Sequence, residues 1–258
     1  MENFQFKKKF GQNFISDKNL LGAIANDAQI TANDNVLEIG AGAGSLTQVL
    51  SSRAKKVVSY EIDKDLQDTL LSLNLPNVEF VFGDFMNAKM EEVEKRFDEP
   101  FKVVANLPYY ITTPIIFKLL EDGRNLQSLT IMVQKEVAER VCASVGGKDY
   151  GILSVMVAFH GTAKITRIIG RQMFFPVPNV DSALLHIEIE NKHAGVDKAA
   201  FLKFVKSCFA MRRKTLLNNL SVVYPKEKLK SVLGEEILKK RAEALSLEEL
   251  LEMFGKLK

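Results

Sequence analysis

The sequence predicts an α/β chain, with a doubly wound, mainly parallel sheet over residues 1–190 and a small all-helical domain over residues 191–258. Three observations carry this reading. Strand-like apolar runs alternate with helical spacings through the first part of the chain, acids and amides fall where the runs end, and from residue 191 the alternation stops. Strands separated by helices pair in parallel, and such sheets bind ligands at the carboxyl ends of their strands.

In chain order, residues 16–29 place Leu20, Leu21, Ile24 and Ala28 at helical spacing, with Ser16 or Asp17 as the cap. Strands are expected at 35–39, 57–61, 78–82, 101–105, 128–133, 152–160 and 181–189, and helices at 43–53, 63–73, 88–97, 113–121 and 134–144. No helical pattern separates the last two strands, so an antiparallel pair is expected at one edge. Between them, Phe174-Phe-Pro-Val-Pro-Asn179 reads as a stiff loop able to wall a pocket. After a linker at 191–195, helices are expected at 197–210, 213–222, 226–233, 235–242 and 246–254; Phe201, Leu202, Val205 and Phe209 share one face of the first, and Ser246 with Glu249 has capping-box spacing at the last.

At 258 residues and 47% hydrophobic, the chain can fill one sizeable core and a second, smaller one. The two cysteines, Cys142 and Cys208, lie far apart in apolar helical contexts and read as buried thiols in a reducing compartment. With three histidines, nothing has metal-ligand spacing and no metal is expected. Residues 1–9 lack an apolar signal core and no run approaches a membrane span, so no membrane partner and a cytoplasmic location are expected. The net charge of +3 is unevenly divided. Residues 191–258 carry 15 basic against 8 acidic side chains, and residues 1–190 carry 20 against 24. A basic tail favours a polyanionic partner, with Ala210-Met-Arg-Arg-Lys214 as the densest cluster apart from the N-terminal Lys7-Lys-Lys9 run; the rival reading is a solvated helix face.

Two motifs carry chemistry. Asn106-Leu107-Pro108-Tyr109 follows the strand 101–105. An aromatic amine is a weak nucleophile because its lone pair is conjugated; the Asn106 side-chain oxygen and the Leu107 carbonyl suit its two N–H groups and would favour a pyramidal nitrogen. Pro108 stiffens the turn and Tyr109 offers a ring for a base to stack on. Upstream, the strand 35–39 runs into Gly40-Ala-Gly42-Ala-Gly44-Ser-Leu-Thr47, and Glu61 ends the next strand, 21 residues beyond Gly40. That spacing suits a carboxylate accepting from ribose hydroxyls. A dinucleotide fingerprint would place glycine at position 45, where this chain has Ser45. A nucleoside site beside an amine pocket fits methyl transfer from S-adenosylmethionine better than hydride transfer. Asp84 follows the strand 78–82 at the same edge.

With these motifs, Lys9-Phe-Gly-Gln-Asn-Phe-Ile15, Val133-Gln-Lys-Glu-Val-Ala-Glu-Arg140, Tyr150-Gly-Ile-Leu-Ser-Val155, Phe175-Pro-Val-Pro-Asn-Val-Asp-Ser182 and Arg212-Arg-Lys-Thr215 closely resemble the ribosomal RNA adenine dimethyltransferase family, in its small-subunit, dimethyladenosine-forming branch. The resemblance covers residues 7 to 220. It implies a Rossmann-like S-adenosylmethionine-dependent methyltransferase domain with a small helical C-terminal domain, acting on two adjacent adenosines near the 3′ end of small-subunit rRNA; a monomer that meets this rRNA in an immature subunit is expected. By motif it assigns Asn13 and Ile15 to the segment covering the cofactor, Gly40 to the glycine loop, Glu61 to the ribose and Asp84 to the cofactor adenine. Asn106 falls at the junction of cofactor and substrate, with Leu107 and Tyr109 beside it in the catalytic tetrad. The plain structural readings are a helix-entry cap for Asn13, a turn acid for Asp84 and a surface charge for Glu61. Two positions depart from the common pattern of that family: Tyr110, where Asn is frequent, and Ala41, where Pro is frequent. The alternatives are a large-subunit rRNA methyltransferase of the macrolide-resistance type, disfavoured by Leu107; a DNA adenine methyltransferase; and a ribosome-assembly factor in which catalysis is secondary.

Overall fold

The computed structural model of the protein describes residues 13–190 and 192–258. Its centre is a seven-stranded sheet: β1 (Asn35–Ile39), β2 (Lys56–Glu61), β3 (Val78–Phe82), β4 (Phe101–Asn106), β5 (Leu126–Gln134), β6 (Gly161–Ile169) and β7 (Ser182–Ile189), in the order β3-β2-β1-β4-β5-β7-β6. The first five strands are parallel; Val36 pairs with Val57 on one side and Lys102 on the other. Beyond β5 the direction reverses, and β5 and β7 pair antiparallel with Thr130 opposite His186 and Gln134 opposite Ser182. β1 is buried at all five positions, as a strand covered on both faces must be. Because β2 lies to one side of β1 and β4 to the other, the strand order switches at β1/β4, which opens a crevice beyond their carboxyl ends.

The helix Lys18–Asp27 starts at Asp17, whose carboxylate accepts the Leu20 N–H at 2.9 Å. Its apolar face, Leu21, Ile24 and Ala25, packs with Leu46 and Leu50 of the helix Ser45–Ser51 onto Val36, Val104, Met132 and Leu184 of the sheet. That packing holds the glycine loop and the first helix against the same sheet edge.

The apolar run at 152–160 is a correction. It forms the helix Ile152–His160 instead of a strand, and the edge strand beside β7 is β6, which the sequence reading passed over. Ile-Leu-Ser-Val-Met-Val-Ala-Phe-His is apolar at nearly every position, so it has neither a two-residue nor a 3.6-residue period, and burial all round decided the outcome. Lys164 and Arg167 break the apolar pattern of β6, as expected of an edge strand.

Packing divides the described residues into two compact units, one comprising those up to Ala138 with Ala163–Ile189, the other those within Glu139–Thr162 and Glu190–Lys258. The single cut expected at residue 190 therefore misses an excursion. The 139–162 segment belongs with the helical tail because Phe159 packs its ring at 4.7 Å from that of Phe201, which in turn meets Phe254 at 5.4 Å. The Tyr150 hydroxyl adds a bond to the Leu245 carbonyl at 3.0 Å. The last helix, Leu247–Leu257, begins with the capping box read from the sequence: Ser246 Oγ accepts the Glu249 N–H and Glu249 accepts that of Ser246. Cys208 is buried, which pushes its thiol up to about 12, whereas Cys142 is exposed just past the helix Lys135–Val141, contrary to the burial expected of both.

Candidate active site

A cleft enclosing about 740 Å³ of open space, its mouth included, sits at the switch point. It is lined by Asn13, Phe14 and Ile15, by Leu21 and Ile24 of the first helix, by the glycine loop, by Glu61 and Ile62 after β2, and by Asn106, Leu107 and Pro108 after β4. Six of the residues expected in the site, Asn13, Ile15, Gly40, Glu61, Asn106 and Leu107, thus converge there. The first helix and Ile62 were not foreseen, although the apolar face Leu21–Ile24 was legible as such.

The glycine loop takes its shape from left-handed backbone conformations that favour glycine, and at Gly42 from lack of room as well. Gly40 and Gly42 have φ of +86° and +55°, and a Cβ on Gly42 would come within 2.8 Å of the Phe14 ring. The N–H groups of Gly40 and Ala41 both donate to the Tyr60 carbonyl, at 2.8 and 3.1 Å, and that of Gly42 donates to Glu61 Oε2 at 2.7 Å. A loop that cradles a pyrophosphate presents such amides to the ligand. Here the first three are used inside the protein, which adds a structural reason, beyond Ser45, against a dinucleotide.

Glu61 is 4% exposed, so the surface-charge reading fails. Its Oε1 accepts the Asp63 N–H at 2.7 Å, and with Gly42 on Oε2 the carboxylate is fixed at the cleft wall with further lone pairs on both oxygens. Burial pushes its pKa up while the Asp63 and Gly42 amides oppose the rise. Asn106 is oriented too: its Nδ2 donates to the Asn13 carbonyl at 2.7 Å, which turns Oδ1 away from Asn13 as an acceptor. Leu107 is buried behind it. Asn13 therefore meets the site through its backbone.

Asp84 and Tyr109 are placed differently. Asp84 stands at the end of β3 but not in the cleft lining; its Oδ1 accepts the Met86 N–H at 2.9 Å and caps the short turn Phe85–Asn87. Tyr109 is half-buried, with its hydroxyl 2.7 Å from that of Ser182, whereas Tyr110 is 61% exposed. The expected Phe174–Asn179 loop joins the site through Phe175, whose backbone exchanges both bonds with Phe14 at 2.9 Å.

One buried acid escaped the sequence reading. Glu38 on β1 is fully buried, and its Oε2 accepts from Thr47 Oγ1 at 2.6 Å and Ser59 Oγ at 2.5 Å, tying β1 to the helix after the glycine loop and to β2. Its Oε1 is buried without a partner. Desolvation, opposed by the two hydroxyls and reinforced by the Glu61 charge, raises its pKa to about 7. The available signal was a glutamate inside an otherwise apolar central strand.

Residues 3–258 match the family described as ribosomal RNA adenine dimethylase. Ribosomal RNA small subunit methyltransferase A of Clostridioides difficile strain 630 is 42% identical over 96% of this chain and 89% of its own length, and the protein of that name from Bacillus licheniformis is 42% identical over 99% and 92%. Among solved structures, a dimethyladenosine transferase from Plasmodium falciparum superposes with a TM-score of 0.78 at 26% identity, over 93% of this chain and 95% of that one. The 23S rRNA methyltransferase ErmE gives a TM-score of 0.70 at 29% identity, over 95% and 99%. The chain is therefore a member of the ribosomal RNA adenine dimethylase family.

Proposed function

We propose that this protein dimethylates N6 of two adjacent adenosines near the 3′ end of small-subunit rRNA, with S-adenosylmethionine as donor, on an immature subunit in the cytoplasm and as a monomer. The observation that carries the reading is the joining of two half-sites at one switch point: an oriented Asn106 amide after β4 and a fixed Glu61 carboxylate beside the glycine loop. The cleft fits such a donor, since it offers a buried carboxylate for ribose hydroxyls, a glycine at Gly42 where a Cβ would meet the Phe14 ring, and an apolar wall from Leu21, Ile24 and Ile62. When bound, the donor supplies an electrophilic methyl group. The protein's part is to present the amine. Asn106 Oδ1 and the Leu107 carbonyl accept its two N–H bonds, and the target base, flipped out of any helix, stacks on Tyr109. No strong base is needed, because the methylated nitrogen is acidic while cationic.

Labelled S-adenosylmethionine incubated with unmethylated small subunits, followed by mapping of the modified nucleotides, tests donor, substrate and product together. In a parallel reaction on large subunits, label there with none in the small subunits would favour the reading suggested by the likeness to ErmE.

Glu61→Ala is expected to weaken S-adenosylmethionine binding by ~1.5–3 kcal/mol, roughly tenfold or more, since one carboxylate accepts from two hydroxyls. Calorimetry on a variant that still melts cooperatively gives the answer, and unchanged affinity removes Glu61 from the site. Its bonds to Gly42 and Asp63 mean that part of the loss comes from a loosened loop.

Arg212, Arg213 and Lys214 are all exposed, and Arg212 donates to the Lys148 carbonyl within the helical unit; the Lys7–Lys9 cluster lies outside the described residues. Replacing the three by Ala is expected to weaken subunit binding and to lower the salt slope by roughly one unit for each phosphate no longer neutralised, with cofactor affinity unchanged. Lost thermal stability with a wild-type salt slope would make them structural supports. Among the described residues, no helix is long and apolar enough to cross a membrane.

A further inference from the structure

The tetrad Asn106–Tyr109 is gripped at both ends by one connected set of bonds. At the first end, Asn106 Nδ2 reaches the Asn13 carbonyl, and the next residue, Phe14, is bridged by two backbone bonds to Phe175. From Phe175 the chain runs to Asp181, whose carboxylate accepts the Arg171 N–H at 3.0 Å and whose carbonyl accepts that of Lys135 at 3.1 Å. The following residue, Ser182, closes the circuit: its hydroxyl lies 2.7 Å from the Tyr109 hydroxyl at the tetrad's other end. Ser182 is fully buried and begins β7, opposite Gln134 at the carboxyl end of β5, so its Oγ is held by the sheet. Tyr109 is its contrast, a half-buried ring on a short turn. A tyrosine ring pivots about its side-chain bonds unless its hydroxyl is tethered, and a partner within the rigid sheet removes that freedom.

We propose that Ser182 is a positioning residue for methyl transfer: through the Tyr109 hydroxyl it sets the plane of the ring that receives the target adenine, and so aligns the amine with Asn106 and Leu107. The proposal rests on the rRNA methyltransferase reading above. Ser182 itself touches neither substrate nor donor. Burial keeps the Tyr109 phenol protonated at neutral pH, so a proton is available for this bond.

The test is a double-mutant cycle read in single-turnover transfer to unmethylated small subunits. Ser182→Ala is expected to lower the single-turnover rate constant about tenfold with little change in the half-saturating subunit concentration, because the misaligned ring still touches the base but no longer directs it. Tyr109→Phe, which removes one oxygen from a half-buried site, should lose about the same factor, and the double variant should stay near tenfold instead of multiplying to about a hundredfold. S-adenosylmethionine affinity, measured by calorimetry, should remain at the wild-type value in all three. Wild-type turnover in a folded Tyr109→Phe protein, or losses that multiply in the double variant, would overturn the proposal; if Ser182→Ala does not fold, the Tyr109→Phe rate alone decides it. A wild-type protein that makes no dimethyladenosine would instead overturn the functional reading, so the two failures are distinguishable.

Discussion

Asn106→Ala is expected to lower methyl transfer by on the order of a hundredfold, the largest single loss in the site, because it deletes an acceptor aligned with the reacting nitrogen. Rate should suffer far more than donor affinity. The same substitution removes the bond from Nδ2 to the Asn13 carbonyl, a neutral hydrogen bond of about 1 kcal/mol, so affinity for S-adenosylmethionine should fall by no more than roughly fivefold. Asn106→Asp separates the two contributions. It keeps an oxygen for the amine but sets a carboxylate against the Asn13 carbonyl, so it should retain more turnover than the alanine variant while binding donor less well. Single-turnover rates and calorimetry on both variants check this, and wild-type turnover in a folded Asn106→Ala protein would remove the amide from the mechanism.

The second large effect concerns stability. The carboxyl of Glu38 has an ordinary value of 4.5 and a folded-state value of about 7. Below pH 4.5 both folded and unfolded chains hold the proton, so the group's favourable contribution is fully present there; between 4.5 and 7 only the folded chain holds it, and the contribution drains away as pH rises. The separation corresponds to about 3 kcal/mol. Glu38→Gln should therefore gain on the wild type by roughly 5–10 °C in Tm between pH 4.5 and pH 8, whatever constant offset the amide brings. Only the change of the difference with pH is diagnostic, since the amide's NH2 must settle where Oε1 now lies buried without a partner. Parallel melting curves for the two proteins across that range would show that Glu38 does not hold a proton on folding.

The two predictions differ in how far the sequence had revealed them. Asn106, Glu61 and Gly40 were legible because one rule of chain geometry, ligand binding at the carboxyl ends of parallel strands, acts on residues next to the strand ends. The parallel core was readable for the same reason, since β1 and β3 have the limits that the apolar runs give. Glu38 and Ser182 were not legible. Their meaning lies in partners that the sequence separates, Thr47 and Ser59 for the first and Tyr109 for the second, and no local pattern marks a hydroxyl that will meet a carboxylate across a sheet. Asp84 shows the converse: its place after β3 was read correctly, while its bond to the Met86 N–H is one that any turn-capping acid could make. The misread helix Ile152–His160 belongs with the missed residues, because its conformation was decided by what surrounds it.

That helix also gives the protein an order of manufacture. During synthesis it leaves the ribosome well before Lys198–Cys208 and Leu247–Leu257, the two helices against which it packs, so Phe159, whose ring meets Phe201 of the first, spends that interval without its final cover. The sheet is equally unfinished at that moment, since β6 and β7 have still to emerge. The sheet unit can be completed once Ile189 has emerged, whereas the helical unit then still lacks everything from Glu190 onward. A nascent chain halted between the end of the helix and the start of the tail would therefore display an apolar surface of the kind that chaperones bind, whereas the finished chain buries it.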